Sequence, residues 1–134
     1  MTSLARGVLD TSVFIADENG RPLNRALMPA ELAVSVVTAA ELHAGGLGAP
    51  DLDSRAQRLR TLDVLADVTI LPIDERVAVE WARLRVYLAQ RQQRVGVNDL
   101  WIAATCCAHD LPVVTQDDDF AALQEGSGVS VIRV

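Results

Sequence analysis

The chain has 134 residues, half of them hydrophobic, and its formal net charge at neutral pH is −6. This length is enough for one domain with a substantial core, so residues 1–134 are taken as a single domain. No apolar run approaches the roughly 20 residues that cross a bilayer, and the N-terminus carries no secretory pattern, so we expect a cytoplasmic protein. The mean hydropathy of +0.21 is high for a soluble monomer and favours a face buried against a partner.

The acidic balance argues against a general nucleic-acid binder, but the basic residues are not evenly spread. All twelve are arginines. Seven of them fall in two groups, Arg55, Arg58 and Arg60, then Arg83, Arg85, Arg91 and Arg94. A local basic rim is able to hold a phosphate backbone, while solvated helix faces and intrahelical ion pairs account for such groups equally well.

Predicted strands and helices alternate along the chain. Apolar runs predict strands at residues 7–9, 32–37, 68–71, 112–115 and 129–134. Helical spacing and capping signals predict helices at residues 11–17, 23–27, 38–46, 51–65, 75–90, 97–108 and 117–124. This alternation predicts an α/β fold with a mainly parallel sheet of four to five strands.

The predicted topology places four acidic residues at the same edge of the sheet. Asp10 follows the first strand, and Asp117 follows the fourth. Glu41 lies in the first turn of a helix that Thr38 is predicted to cap, and Asp99 lies early in the helix that leads into the fourth strand. A crossover helix runs antiparallel to its strands, so its N-terminus lies at their carboxyl edge, where open α/β sheets bind ligands. We therefore expect these four side chains to converge.

Each acid also has a purely structural explanation. Asp10 fits the N-cap of the helix that follows it, because its side chain accepts readily from amides of a first helical turn. Glu41 fits an ordinary exposed helical position, and Asn98 with Asp99 fits a helix cap.

The acidic run after the fourth strand offers three neighbouring candidates. We predict that Asp117 belongs to the site, that Asp119 is an auxiliary or structural acid, and that Asp118 is exposed, with a cap for the last helix as the alternative role. The histidines, His43 and His109, are expected to be rim or hydrogen-bonded polar residues rather than ligands.

Folded proteins do not crowd carboxylates together for stability. Two carboxylates about 4 Å apart repel by roughly 4 kcal/mol at an effective dielectric near 20, so either some are protonated or a cation lies between them. Oxygen ligands without His or Cys select Mg²⁺ or Mn²⁺ over Zn²⁺. Mg²⁺ commonly acts on phosphates, where it activates a water and stabilises the leaving oxygen. The residues therefore predict metal-dependent hydrolysis of a phosphodiester.

Four segments of the chain resemble the acidic motifs of PIN domains, in the family's order and strand context. They are residues 8–15 (VLDTSVFI), 38–42 (TAAEL), 98–104 (NDLWIAA) and 114–120 (VTQDDDF). Any one of these motifs is weak, but all four in register over nearly the whole chain are specific. More narrowly, the chain resembles the VapC-type toxins of VapBC toxin–antitoxin systems. The resemblance implies a three-layer α/β/α sandwich and a Mg²⁺- or Mn²⁺-dependent endoribonuclease.

The resemblance also implies a role for each site residue. Asp10 and Asp99 would be the principal metal ligands, while Glu41 and Asp117 would complete the catalytic metal site directly or through water. Ser12 and Thr115 would be auxiliary residues that support the site with their hydroxyls, and Asp119 is the auxiliary acid. The implied partners are RNA as substrate, a second copy of the chain in a homodimer, and a cognate VapB-type antitoxin whose C-terminal segment packs along an apolar groove.

Three other classes of protein are weighed against this interpretation. A phospho-acceptor receiver domain also has Asp residues at strand ends but needs a lysine, and the chain has none. A haloacid-dehalogenase-type phosphatase needs a second Asp two residues after the first, where Ser12 stands. A non-catalytic PIN-fold interaction module is disfavoured by the retention of all four acids and is kept as the alternative.

Overall fold

The computed structural model describes residues 5–134, which contain one sheet of five strands with the order β3-β2-β1-β4-β5. The strands are β1 (Arg6–Leu9), β2 (Glu31–Ser35), β3 (Thr69–Leu71), β4 (Val113–Thr115) and β5 (Val131–Arg133). The helices are α1 (Thr11–Glu18), α2 (Val36–Leu47), α3 (Leu52–Leu65), α4 (Glu75–Gln90) and α5 (Val97–Ala108). All four strand pairings are parallel, so the predicted α/β fold with a parallel sheet is confirmed.

The strand order creates a crevice beside the central strand. From β1 the chain extends the sheet through β2 to β3, and then returns to the other side of β1 to add β4 and β5. In open α/β sheets, ligands bind at such a reversal of strand order, beyond the carboxyl ends of the strands. The reversal in this protein lies between the ends of β1 and β4.

Apolar side chains pack on both faces of the sheet, which gives the three layers. Neighbouring strand residues point to opposite faces, and Val8 packs with the core beneath α4 and α5, whereas Leu9 packs with the core beneath α1 and α3. The next strand repeats this alternation, with Val113 in the first core and Val114 in the second. The central strands β1 and β4 are therefore buried on both faces, as is typical of a parallel sheet.

The start of α2 differs from the prediction. Residues 36–37 were expected to end a strand, but they open the helix, and the Ser35 side chain caps it by accepting from the Val37 amide at 3.1 Å. A short apolar run does not distinguish a buried strand from the first turn of a buried helix. The predicted N-cap at Thr38 is therefore wrong, and Glu41 lies in the second turn of α2 rather than the first.

Two shorter predicted helices are also wrong in extent. The structure has 3₁₀ turns at Arg25–Leu27 and Ala121–Leu123 in place of helices at 23–27 and 117–124. After β4 the Asp119 amide donates to Asp117 Oδ1 at 3.1 Å. This local side-chain bond gives the backbone an alternative to a helical turn, so the acidic run forms a turn.

Within residues 5–134, no helix combines the length and apolar character needed to cross a membrane.

Candidate active site

A hydroxyl between two carboxylates lies at the switch point of the sheet. Thr115 Oγ1, at the end of β4, lies 3.0 Å from Asp10 Oδ2 and 3.2 Å from Asp117 Oδ1. A hydroxyl has one hydrogen and donates to one acceptor at a time, so Thr115 serves these two carboxylates alternately. Asp10 is only 3% exposed and Thr115 is fully buried. The structure therefore brings the ends of β1 and β4 together through their polar side chains.

The Asp10 side chain does not cap α1, although its backbone occupies the N-cap position. Its carboxylate accepts from Thr115, across the sheet, at 3.0 Å. Burial raises the pKa of Asp10, hydrogen bonds from Ser12 and Thr115 oppose that rise, and the charge of Asp117 adds to it. The capping explanation of Asp10 therefore does not hold.

Ser12 ties α1 to the end of β4. Its Oγ lies 3.2 Å from Thr115 Oγ1 and accepts from the Gln116 amide at 3.0 Å. The Ser12 hydroxyl has one hydrogen, so it donates either to Thr115 or to Asp10. This arrangement fits the supporting position expected for Ser12.

A second pair of hydroxyls orients Glu41. Thr11 Oγ1 lies 2.7 Å from Glu41 Oε1 and 3.0 Å from Thr38 Oγ1. Thr11 has one hydrogen and donates it to Glu41 or to Thr38, of which the carboxylate is the stronger acceptor. Thr38 is fully buried, so the first turn of α1 and the start of α2 together fix the orientation of Glu41.

Asp99 lies in the first turn of α5, and its pKa is raised far above the ordinary value. Its pKa is raised to about 7, first by burial and then by the charges of Asp10, Asp119, Asp117 and Glu41. Helix α5 begins with Gly96 at the N-cap, so the alternative in which Asn98 and Asp99 cap this helix is wrong. Carboxylates from four separate parts of the chain thus act on one another at this edge.

Of the other polar candidates, Asp119 acts on this group, because its charge also raises the pKa of Asp99. Asp118 is 80% exposed, as predicted, and its side chain pairs with Arg133. Asp119 is exposed, and its pKa is raised by partial desolvation and by Asp117 and Asp118. His43 is exposed. His109 Nε2 is buried without a hydrogen-bond partner in the described part of the chain, so the hydrogen-bonded alternative does not apply to that nitrogen.

The donor set fits a hard divalent cation. The converging groups are carboxylates and hydroxyls, the oxygen ligands that Mg²⁺ and Mn²⁺ prefer, and the raised pKa of Asp99 marks uncompensated negative charge that a cation would relieve. Within residues 5–134, no three His, Cys, Asp or Glu side chains are drawn together closely enough to form a ready metal cage. The assignment of Asp10, Glu41, Asp99 and Asp117 as ligands stays a prediction.

Two positioning residues, Thr11 and Thr38, were not expected. The signal was present in the sequence, since Thr11 directly follows Asp10 and Thr38 precedes Glu41 by three residues, one helical turn. That spacing places Thr38 and Glu41 on one face only if α2 already includes Thr38. The misplaced helix start concealed this relationship.

Comparison with known proteins agrees with this architecture. Residues 7–126 match the PIN domain family model. The chain is 56% identical over 133 residues to Ribonuclease VapC5 of Mycobacterium tuberculosis, covering 99% of this chain and 98% of that protein. It is 40% identical over 132 residues to Ribonuclease VapC4 of the same organism, covering 98% and 99%.

A solved structure gives the same result. The crystal structure of VapBC-5 from Mycobacterium tuberculosis, described as a member of the VapBC family of toxin–antitoxin systems, aligns with a TM-score of 0.91. The sequence identity is 55%, and the alignment covers 97% of this chain and 99% of that one. This chain therefore belongs to the PIN-domain family and, within it, to the VapC ribonucleases.

Proposed function

We propose that this protein is a divalent-metal-dependent endoribonuclease that acts as the toxin of a type II toxin–antitoxin pair. The observation that carries the proposal is the group of carboxylates around Asp99, whose mutual charges and burial raise the pKa of Asp99 to about 7. The names of the relatives, Ribonuclease VapC5 and VapC4, support the same activity. Because the proposed substrate is RNA, the cytoplasm is the compartment in which the enzyme would act.

Four carboxylates would hold the metal, Mg²⁺ or in its place Mn²⁺. Asp10 and Asp99 are proposed as the principal ligands, with Glu41 and Asp117 completing the site directly or through water. When bound, the ion would supply activation of a water and stabilisation of the leaving oxygen of the phosphodiester. The proposed products of hydrolysis are a 5′-phosphate and a 3′-hydroxyl.

The protein's own residues prepare this site. The Thr115 hydroxyl, 3.0 Å from Asp10 Oδ2, restrains the orientation of that carboxylate, and Ser12 restrains Thr115. Thr11 does the same for Glu41. Supporting hydrogen bonds of this kind fix ligand orientation before the metal arrives. Asp99 contributes its negative charge only after it loses its proton.

The partner of the toxin is proposed to be a VapB-type antitoxin. One solved relative is described as a member of the VapBC family of toxin–antitoxin systems. An apolar cleft of about 410 Å³ lies between α1 and α3, with Val13, Leu23, Met28 and Val64 among its lining residues. This cleft supports the proposal that a segment of the antitoxin binds in a groove of the toxin. The toxin itself is proposed to form a homodimer.

Two single substitutions test the nuclease proposal. Asp10→Asn keeps an acceptor for Thr115 but removes a charged ligand, so we expect cleavage of total bacterial RNA with Mg²⁺ to fall at least about 100-fold. Asp118→Asn removes the same charge from an exposed position nearby and should leave the rate within about twofold. Circular dichroism should show the same helix content for both variants. Wild-type cleavage by Asp10→Asn would contradict the proposal.

Metal binding separates this proposal from the non-catalytic alternative. Calorimetric titration with Mn²⁺ alone should show binding to the wild type, and Asp99→Asn should weaken that binding about tenfold or more. An interaction module with a degenerate pocket would show no binding that depends on Asp99. The RNA cleavage assay then decides whether a bound ion is catalytic.

A further inference from the structure

A strongly basic segment leads directly into the acidic site. Residues 81–98 contain four arginines and no acidic residue, although the whole chain carries a net charge of −6. The segment comprises most of α4, the loop that follows, and the start of α5, and it ends immediately before Asp99. Positive charge is therefore concentrated along the stretch of chain that adjoins the acids.

The arginines of this segment are mostly free of acidic partners. Six arginines form ion pairs with carboxylates, namely Arg6, Arg25, Arg58, Arg76, Arg83 and Arg133. In the described part of the chain, the other six form none, and three of these lie within ten residues of one another, Arg85, Arg91 and Arg94. All three are exposed. Their charges are available to an anionic ligand.

Aromatic rings, rather than carboxylates, hold two of these guanidinium groups. The Arg91 guanidinium lies 3.8 Å from the centroid of the Tyr87 ring. The Arg85 guanidinium lies 5.9 Å from the Trp81 ring, which itself stacks on Trp101 at 5.0 Å between centroids. A ring beneath a guanidinium restrains it while leaving the N–H donors in its plane free for phosphate oxygens.

A cleft joins this basic segment to the first turn of α5. It has a volume of about 520 Å³, and its lining includes Arg85, Gln93, Arg94 and Leu100. Leu100 directly follows Asp99 in α5, so the lining of the cleft includes a residue of the helix that carries Asp99. Gln93 also lines a second cleft with Tyr87 and Arg91, so the two clefts share this residue.

An unusual backbone conformation presents the tip of this surface. Gln92 has a φ of +53°, in the left-handed region, and the amides of Gln92 and Gln93 close the end of α4 onto the carbonyls of Ala89 and Leu88. Glycine commonly occupies this position in such a helix end. The strained turn directs the chain from α4 toward Arg94, and strain of this kind is concentrated at functional sites.

We propose that the cleft lined by Arg85 and Arg94 binds the RNA backbone next to the bond that is cut. The N–H groups of the two arginines would donate to phosphate oxygens of the RNA. The Gln93 amide would lie beside the same strand, because Gln93 lines the same cleft. This inference rests on the proposed ribonuclease function. It adds the surface along which the RNA strand would approach the acidic residues. It also explains how a protein with a net negative charge holds a polyanion, since the contacts are local.

The test compares two double variants that remove equal charge. Arg85→Gln with Arg94→Gln removes two positive charges from the cleft. Arg21→Gln with Arg55→Gln removes two from exposed, unpaired arginines elsewhere. Both are made in the Asp10→Asn background, and binding of a randomised 20-nucleotide RNA is followed by fluorescence anisotropy over a range of salt concentrations. Thermal melts check that both double variants are folded. If the cleft variant is unstable, the single variant Arg94→Gln, at a loop position, replaces it in the comparison.

We expect the cleft variant to lose affinity about tenfold or more, because hydrogen bonds between charged groups are stronger than those between neutral ones. The salt dependence of its binding should become shallower by about 1.4 in log–log slope, since each single-strand phosphate contact contributes about 0.7. The control variant should stay within about threefold. Equal loss in both variants, or no loss in either, would overturn the inference. Unchanged RNA affinity with weakened antitoxin binding would also overturn it, by assigning the cleft to a protein partner.

Cleavage of total bacterial RNA by the same variants with native Asp10 keeps the two proposals separate. If the wild type cuts RNA but the cleft variant binds it normally, only the subsite is wrong. If the wild type cuts no RNA, the ribonuclease proposal fails, and the binding comparison still decides whether the cleft takes a nucleic-acid backbone.

Discussion

Thr11 Oγ1 lies 2.7 Å from Glu41 Oε1 and so links the first turn of α1 to the second turn of α2. Behind it the fully buried Thr38 hydroxyl lies 3.0 Å from Thr11. This chain of two hydroxyls reaches the surface site from inside the protein. The orientation of Glu41 therefore depends on a residue that no substrate or metal would contact.

Thr38→Val tests this dependence. The substitution keeps the volume but removes the hydroxyl that contacts Thr11 and restrains its orientation, so we expect Mn²⁺ affinity and RNA cleavage to fall about tenfold or more. Thr105→Val is the matched control, because Thr105 is equally buried and its hydroxyl bonds only to the Trp101 carbonyl of its own helix, at 2.8 Å. Both variants should lose about 1 kcal/mol of stability in urea unfolding. Equal activity in the two would show that Thr38 does not act through Glu41.

The stability of the metal-free protein should fall as the pH rises toward neutrality. The pKa of Asp99 is about 7 in the folded protein and near its ordinary value of about 3.9 in the unfolded chain. Between these values the folded state binds the proton and the unfolded state does not, so the stabilising proton is lost as pH rises through 7. We expect the free energy of unfolding to fall by about 1–2 kcal/mol between pH 4 and pH 8, after allowance for partial screening by solvent.

Asp99→Asn should remove most of that pH dependence, which chemical unfolding with a chelator present would measure. Bound divalent cation should reverse it, because the ion requires the deprotonated carboxylate and is held more tightly at higher pH. Calorimetry in buffers of different ionisation enthalpy should detect proton release on Mn²⁺ binding at pH 6. An unchanged pH profile in Asp99→Asn would mean that another group is responsible.

A largely buried ion pair joins α1 to α3. Arg58 Nε lies 2.8 Å from Glu18 Oε2, the two side chains are 15% and 11% exposed, and Thr61 Oγ1 donates to the same carboxylate. Glu18→Ala leaves the Arg58 charge buried without a partner, which should cost about 3 kcal/mol. Glu31→Ala breaks the Arg6–Glu31 pair, which has the same 2.8 Å distance but is 67% and 68% exposed, and should cost at most about 0.5 kcal/mol.

The same pair predicts an acid dependence of the opposite sign to that of Asp99. Burial raises the pKa of Glu18, but Arg58 and Thr61 lower it more, and the net shift is downward. The stabilisation is therefore complete above the unfolded value of about 4.3 and is lost as the pH falls through the folded value. Urea unfolding at pH 7 and pH 3 should show the Glu18→Ala deficit shrinking at the lower pH. A deficit of the same size at both would exclude an ionic origin.

Gln92→Gly should stabilise the protein. Glycine adopts a φ of +53° without the clash that a β-carbon suffers there. After the greater entropy of glycine in the unfolded chain is subtracted, a gain of up to about 1 kcal/mol remains, a rise of about 3 °C in the melting temperature. Gln90→Gly, within the last turn of α4, should destabilise by a similar amount. Loss of stability in Gln92→Gly would show that the amide side chain itself is needed.

The sequence determined the class of fold and the placement of the acids along the chain. The alternation of apolar runs with helical periodicity requires a parallel sheet with helices on both faces, and the predicted bounds of α5, residues 97–108, agree with the structure. Asp10 and Asp117 follow strands whose direction the topology dictates, so their shared edge was predictable. These features depend on residues that lie close together in the sequence, so the sequence alone is enough to predict them.

Tertiary structure alone decided how those acids are held. The β-branched residues 36–37 favour a strand, and only the structure shows that Ser35 caps α2 immediately before them. Because α2 begins there, Thr38 lies in the helix, one turn before Glu41. The contacts of Thr115 with Asp10 and of Trp81 with Trp101 join residues far apart in the chain. Such contacts arise because packing brings distant side chains within reach, and no periodicity in the sequence records which of them meet.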